Sequence, residues 1–290
     1  MAGETPERNE RCPETVTFPV PDRTPLTRRK LLKRFLGGAA ALTVADLAVD
    51  SRWLEVVRQP IRLPNWHGGK VRVGFLTDPH INSDGAVDLA LEAVELLRNE
   101  KPDVVLLGGD YLNYQHPQQQ ARLSKFAERV RSLGVPAATV LGNHDFSCRQ
   151  TPAIIRAFER HDLRVLQNET LDLNGFQIHG YGDGFFGDFR PESLTQDRHP
   201  HSSIVLLHEP DFVSRVPRHA SLQLSGHSHG GQMCLPFGIS VHTPPGARKY
   251  SAGLYDQAPV PLYVSRGVGT TGPPFRLFCR PEVTILDLSG

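Results

Sequence analysis

From Lys70 onward the apolar positions switch repeatedly between two periods. Val71-Arg72-Val73-Gly74-Phe75-Leu76 reads as a strand, and Val104-Val105-Leu106-Leu107 as a second, buried one. Between them, Val87, Leu91, Val94 and Leu96 or Leu97 recur at helical spacing across Ala86 to Asn99, so the pattern opens β-α-β. Ala121 to Ser132 predicts another helix, Ala138 to Leu141 a strand, and Pro152 to Arg160 a helix capped by Thr151 with proline at its first position. Alternation then stops. Leu171-Asp172-Leu173 and Phe176-Gln177-Ile178-His179 flank Asn174-Gly175, a strong hairpin signal. Ile204 to Leu207, Leu222 to Leu224, Leu262 to Ser265 and Val283 to Leu288 add short strands but no long helix. No solenoid repeat is present. The expected class is α/β, a four-layer αββα sandwich of two mixed β-sheets flanked by helices.

The first 69 residues follow a different pattern. Met1 to Pro25 are rich in Pro, Glu, Thr and Arg without apolar periodicity, the composition of a segment that cannot offset its ordering entropy. Thr27-Arg28-Arg29-Lys30-Leu31-Leu32-Lys33 then precedes a Gly/Ala-rich apolar run, Phe35 to Ala45. A basic stretch ahead of a short apolar run reads as a targeting signal, and its paired arginines resemble the twin-arginine export motif. Asp46 interrupts the run well short of the roughly 20 residues needed to cross a bilayer. Asp50 to Gly69, with Pro60, Pro64, Gly68 and Gly69, reads as a linker. The expected division is therefore a disordered leader with export signal and linker over 1–69 and a single domain over 70–290. Export predicts a periplasmic location or the outer face of the cytoplasmic membrane. The alternative is a basic amphipathic helix on the cytoplasmic membrane surface.

Composition narrows the partners. The 290 residues are 39% apolar and 22% charged, as in folded enzymes, with net charge +1. Setting aside Met1 to Arg34 (8 basic, 5 acidic) leaves 24 basic and 26 acidic residues, so no polybasic body is offered to nucleic acid. Cys12, Cys148, Cys234 and Cys279 lack the spacing of a disulfide framework or a thiolate zinc site.

The candidate chemistry lies where strands stop. Five of them end at Thr77-Asp78-Pro79-His80, Gly108-Gly109-Asp110, Gly142-Asn143-His144-Asp145, His208-Glu209-Pro210 and Gly226-His227-Ser228-His229-Gly230-Gly231. Ligands of open α/β sheets gather beyond the carboxyl ends of strands, so these loops are expected to converge on one crevice. Carboxylates, imidazoles and one amide oxygen, without thiolate, suit Mn, Fe or Zn at a hydrolytic centre.

In this order the motifs resemble those of the calcineurin-like metallophosphoesterases, over Val71 to Leu288. Within that superfamily, Gly226 to Gln232, Tyr263 to Gly269 and Arg280 to Ile285 look like the bacterial YkuE and YaeI group. The resemblance implies two divalent cations. Asp78, His80 and His229 would hold one, Asn143, His208 and His227 the other, and Asp110 would bridge them. It also implies a hydroxide shared by the ions as the attacking group. His144 would face the substrate, and Asp145 would orient it by accepting its second ring N–H.

The function expected is phosphodiester or phosphomonoester hydrolysis near a membrane. One alternative is a lipid-linked pyrophosphatase, such as one cleaving UDP-diacylglucosamine. A non-catalytic, metal-holding module that binds the envelope is the other. Tyr111, Asn113, Tyr114, His116, Cys148 and Arg149 are further substrate-contact candidates, as are Arg276 and Arg280 for a phosphate. The Gly-rich aromatic segment Tyr181 to Phe189 is a candidate hydrophobic lip over the cleft.

Overall fold

The computed structural model describes residues 51–173, 175–194 and 202–290. The leader and its twin-arginine-like motif lie outside these residues. In chain order the elements are β1 (Glu55–Arg62), β2 (Val71–Leu76), α1 (Asp84–Glu100), β3 (Val104–Leu107), α2 (Gln119–Arg131), β4 (Ala137–Thr139), α3 (Asn143–Ser147) and α4 (Thr151–Glu159). There follow β5 (Arg164–Val165), β6 (Glu169–Leu173), β7 (Phe176–Gly180), β8 (Ser203–Leu206), β9 (Leu222–Ser225), β10 (Cys234–Leu235), β11 (Ile239–Ser240), β12 (Gly253–Tyr255), β13 (Leu262–Val264) and β14 (Glu282–Ser289).

Two six-stranded mixed sheets form, ordered β1-β14-β2-β3-β4-β5 and β12-β13-β9-β8-β7-β6. In the first, β2, β3, β4 and β5 run parallel and β14 opposes β2; in the second, β13, β9, β8 and β7 are parallel between antiparallel edges. Side chains alternate faces along each strand, and this assigns the layers. Val104 and Leu106 of β3 pack between the sheets with Val73, Phe75, Ile204, Leu206, Leu222 and Leu224. Val105 and Leu107 point the other way, into a core with Val94 and Leu97 of α1 and Leu123 and Phe126 of α2. On the outer face of the second sheet, Val205, Leu262 and Val264 are covered by Tyr181, Leu194 and the 3-10 turn Pro210–Arg215 through Val213.

Local chemistry sets the helix ends. The Ala86 N–H donates to Ser83 Oγ at the start of α1, and Lys101 in the left-handed region stops it. Thr151 does not cap α4. It is the first residue of that helix, and its hydroxyl donates instead to Asp145 O (3.2 Å). The stretch expected to be a linker, Asp50 to Gly69, contains β1, which pairs in parallel with β14 from Glu55↔Glu282 to Arg62↔Ser289. Pro60 is tolerated there because β1 is an edge strand.

Candidate metal centre

Asp78 and His80 follow β2, Asp110 follows β3, Asn143 and His144 open α3 after β4, His208 follows β8, and His227 and His229 follow β9. All five loops leave the carboxyl ends of strands. Four of them supply two adjoining groups, the ligand atoms within each group lying within 4.8 Å of one another: Asp78, His80 and His229, and Asp110, His208 and His227. Asp110 Oδ2 lies 3.2 Å from His208 Nε2 and 3.9 Å from His80 Nε2, so one carboxylate reaches both groups. Asp78 Oδ1 is 3.5 Å from His229 Nε2 and 3.8 Å from His208 Nε2, while the Nε2 atoms of His80 and His229 face each other at 3.0 Å.

The backbone is bent to make this possible. Asp78, His80, Asp110, His227 and His229 all have φ between 43° and 67°, a region costly for side chains other than glycine. Neighbouring backbone groups hold them there. Asp78 N–H donates to Gly109 O, His80 N–H to Asp110 O, His144 N–H to Asp110 Oδ1 and His227 N–H to Asp78 Oδ2. Two glycines permit the close approach. A Cβ on Gly142 would overlap Asp110 Oδ1 and lie 2.8 Å from its Cγ, and one on Gly226 would overlap Asp78 Oδ2 and Thr77 Oγ1.

Donor atoms are left facing inward. His208 Nδ1 bonds Gly108 O (2.7 Å), which turns the other ring nitrogen, Nε2, towards Asp110 Oδ2 as the atom available to a cation. His227 Nε2 bonds Pro245 O (2.8 Å), leaving its Nδ1 available. Asn143 Oδ1 is buried without a partner, beside the same cleft. Buried polar atoms of this kind are costly unless something else satisfies them. A nitrogen and oxygen donor set with one shared carboxylate fits a pair of divalent cations.

At three of the four candidate histidine ligands, electrostatics favour the neutral, ligating form. Burial pushes His80 down to about 3 and His227 down to about 4; His229 is also held well below the usual range by burial and by His80 and Arg276. These rings are therefore neutral, as metal ligation requires. Burial raises Asp78 to about 6 despite His208. Burial also opposes charge on His208 and Asp110, yet their mutual attraction outweighs it, holding His208 above and Asp110 below their ordinary values.

His144 sits at the edge of this group. Half-buried, it lines a cleft of about 360 Å³ and packs edge-on against His80, with ring centroids 5.3 Å apart. Asp145 does not orient it. The fully buried Asp145 carboxylate receives four backbone N–H groups, from Asp110 (2.9 Å), Tyr111 (2.8 Å), Leu112 (3.1 Å) and Gly142 (3.0 Å). It ties the Asp110 loop to the start of α3, a scaffolding role.

Other candidates also resolve. Tyr111 is a core residue, bonded to Thr139 and packed on Phe126 and Phe158. Cys148 is buried, its thiol donating to Asp145 O. Arg276 does not meet substrate: it is fully buried and donates to the carbonyls of Gly269, His229, Arg266 and Gly267, bracing the His229 loop from behind. Arg280 lies over the Trp53 ring. Phe185 and Phe186 of the proposed lip are exposed, and Phe185 is 6.3 Å from the His227 ring. Met233, Val241, His242, Thr271 and Pro273 also line the cleft, from loops with no strand-end motif in the sequence.

Known proteins are similar to this chain. The family model for calcineurin-like phosphoesterase matches residues 71–231. The metallophosphoesterase YkuE of Bacillus subtilis is 30% identical over 91% of this chain and 98% of its own length. Phosphodiesterase YaeI of Escherichia coli is 30% identical over 88% of this chain and 98% of its own. Among solved structures, a dimetal phosphatase from Danio rerio aligns at 13% identity and TM-score 0.45, over 70% of this chain and 89% of that one. The family match over more than half of the chain and the two near full-length relatives, joined to the paired ligand clusters, make this chain a member of the calcineurin-like phosphoesterase family, a metal-dependent phosphoester hydrolase.

Proposed function

We propose that this enzyme hydrolyses a phosphodiester carrying an apolar substituent, and does so outside the cytoplasm close to a membrane. The observation that carries the diester reading is the lining of the cleft. Asp110, Asn143, His144, His227 and His229 form its polar floor, Met233, Val241, Pro244 and Pro273 its apolar wall, and none of the described residues that line it is Lys or Arg. A monoester dianion would call for a further cation against its free oxygens. A diester carries one charge fewer, and its second substituent can rest on the apolar wall.

The residues divide the work. Asp78, His80, Asp110 and His229 would hold one ion, and Asp110, Asn143, His208 and His227 the other. When bound, the ions supply Lewis-acid activation of the phosphoryl group and of water. Asp110 sets the spacing of the two positions because its carboxylate faces both ligand groups. His144, at the open side of the cleft, can donate a proton or a hydrogen bond to the leaving oxygen. Asp145 and Arg276 hold the ligand loops in place, one from the Asp110 side and one from the His229 side.

Export is supported by the leader's composition, with Arg28 and Arg29 ahead of a short apolar run. A lipid-linked pyrophosphate is a second reading, favoured by exposed Phe185, 6.3 Å from the His227 ring, and its exposed neighbour Phe186. A purely metal-holding module has no need of His144 beside its ligands.

The test is hydrolysis of bis(p-nitrophenyl) phosphate against p-nitrophenyl phosphate, with metal analysis, for wild type, Asp110→Ala and His144→Ala. The diester should be the better substrate, and Asp110→Ala should lose both metal and turnover. Preference for the monoester would overturn the diester reading.

A further inference from the structure

Next to the cleft stands a hairpin whose tip takes no part in the chemistry. The hairpin of β10 and β11 carries Leu235, Phe237 and Ile239 into solvent at 54%, 100% and 57% exposure, and Val241, just past it, at 64%. Phe237 has φ 71°, a strained conformation for a ring that touches nothing in the fold. Contiguous exposed apolar side chains of this kind mark contact surfaces.

The root of the hairpin, by contrast, is firmly held. Cys234 N–H donates to Leu277 O (2.9 Å), and the Ser240 hydroxyl (2.7 Å) and the Cys234 thiol (3.1 Å) both donate to Gly230 O. The hairpin therefore moves with the turn that carries His229. Val241 and Met233 belong both to the hairpin region and to the cleft wall, while Phe185 and Phe186 are exposed near His227.

We propose that the Leu235 to Val241 hairpin, with Phe185 and Phe186, is a docking rim that enters an anionic lipid surface and sets the cleft against it. Two further observations select lipid over a protein partner. The described chain begins beside the root of the hairpin: Arg276 N–H donates to Ser51 Oγ, and Leu277, the next residue, bridges to Met233. Six residues before Ser51 ends the basic and apolar stretch Thr27 to Ala45, which the chain can span in at most about 20 Å. Around that point the exposed residues are of interfacial type. Trp53 lies under the Arg280 guanidinium at 4.4 Å, beside exposed Arg52 and Phe278. Aromatic rings with basic neighbours suit the headgroup boundary of anionic lipid. A basic stretch and an apolar rim are each weak anchors, and two weak signals make a stable one.

The inference deepens the proposed function by naming the surface that presents the substrate, and it rests on that reading only for the cleft's use. The test uses the full chain and vesicles of phosphatidylcholine with or without phosphatidylglycerol. Wild type should sediment with the anionic vesicles, and Phe237→Asp should lower the partition about tenfold or more, while hydrolysis of soluble bis(p-nitrophenyl) phosphate stays unchanged. In case the leader alone retains the protein, Phe237→Trp is read with brominated lipid, which should quench the added fluorescence. Absence of that quenching overturns the inference. So does a wild-type dimer that Phe237→Asp turns into a monomer without any vesicle binding. Vesicle binding by a protein without diester hydrolysis would instead sink the proposed function and leave the docking rim standing.

Discussion

Replacing Asp145 with Asn tests whether this carboxylate supports the loops or serves His144. The wild-type side chain accepts four N–H groups at 2.8 to 3.1 Å, all at fully buried atoms. An asparagine keeps one oxygen, enough for two of them, and turns an NH2 towards the other two. Each buried N–H left unpaired costs about 1–3 kcal/mol, so the variant should lose about 4 kcal/mol. For a domain of this size that corresponds to a fall in Tm of about 10 °C. Circular dichroism during heating reads the loss, and metal analysis should show weaker retention, since the Asp110 backbone is one of the four partners. The opposite outcome is equally definite. A wild-type Tm and full metal content, with turnover reduced and its pH profile displaced, would show that Asp145 acts through His144 and refute the scaffold.

Three other outcomes are expected. His144→Ala should keep its metal content and lose about 100-fold in turnover; an unchanged rate would remove His144 from the chemistry. Gly142→Ala should fold yet hold metal poorly and lose turnover by about 100-fold, because the added Cβ overlaps Asp110 Oδ1; normal metal stoichiometry and rate would show that the loop yields freely. His179 is buried between the Thr170 and Ser193 hydroxyls, and burial holds it down to about 4. As pH falls below about 6.5 the unfolded chain takes up a proton that the folded one refuses, so wild type should lose about 2 kcal/mol between pH 7 and about 5 from this group. His179→Gln should lack that share of the pH dependence; parallel stability curves for the two proteins would contradict it.

What the sequence made legible follows from how this fold is built. Its parallel strands are buried and stop abruptly at polar loops, and β3 is apolar on both faces, so Val104 to Leu107 followed by Asp110 announces strand and ligand together. The twofold alternation that separates Val104 and Leu106 from Val105 and Leu107 is hidden in such a run, because both faces are buried. The clasp at Asp145 is not legible in the sequence because three of its four partners are backbone groups over thirty residues away, which no side-chain motif encodes. Pro60 and the charged neighbours of β1 hid an edge strand, and the cleft wall at Met233, Val241 and Pro273 comes from loops without periodicity.

The left-handed backbone at Asp78, His80, Asp110, His227 and His229 bears on attempts to transplant this centre. Copying seven side chains onto another sheet would reproduce the donor atoms but not the direction in which they point, since the main chain aims them. A graft needs the strand-end turns as whole units, with Gly142, Gly226 and the Asp145 clasp included. The portable object is a set of bent loops, and the ligands travel as their passengers.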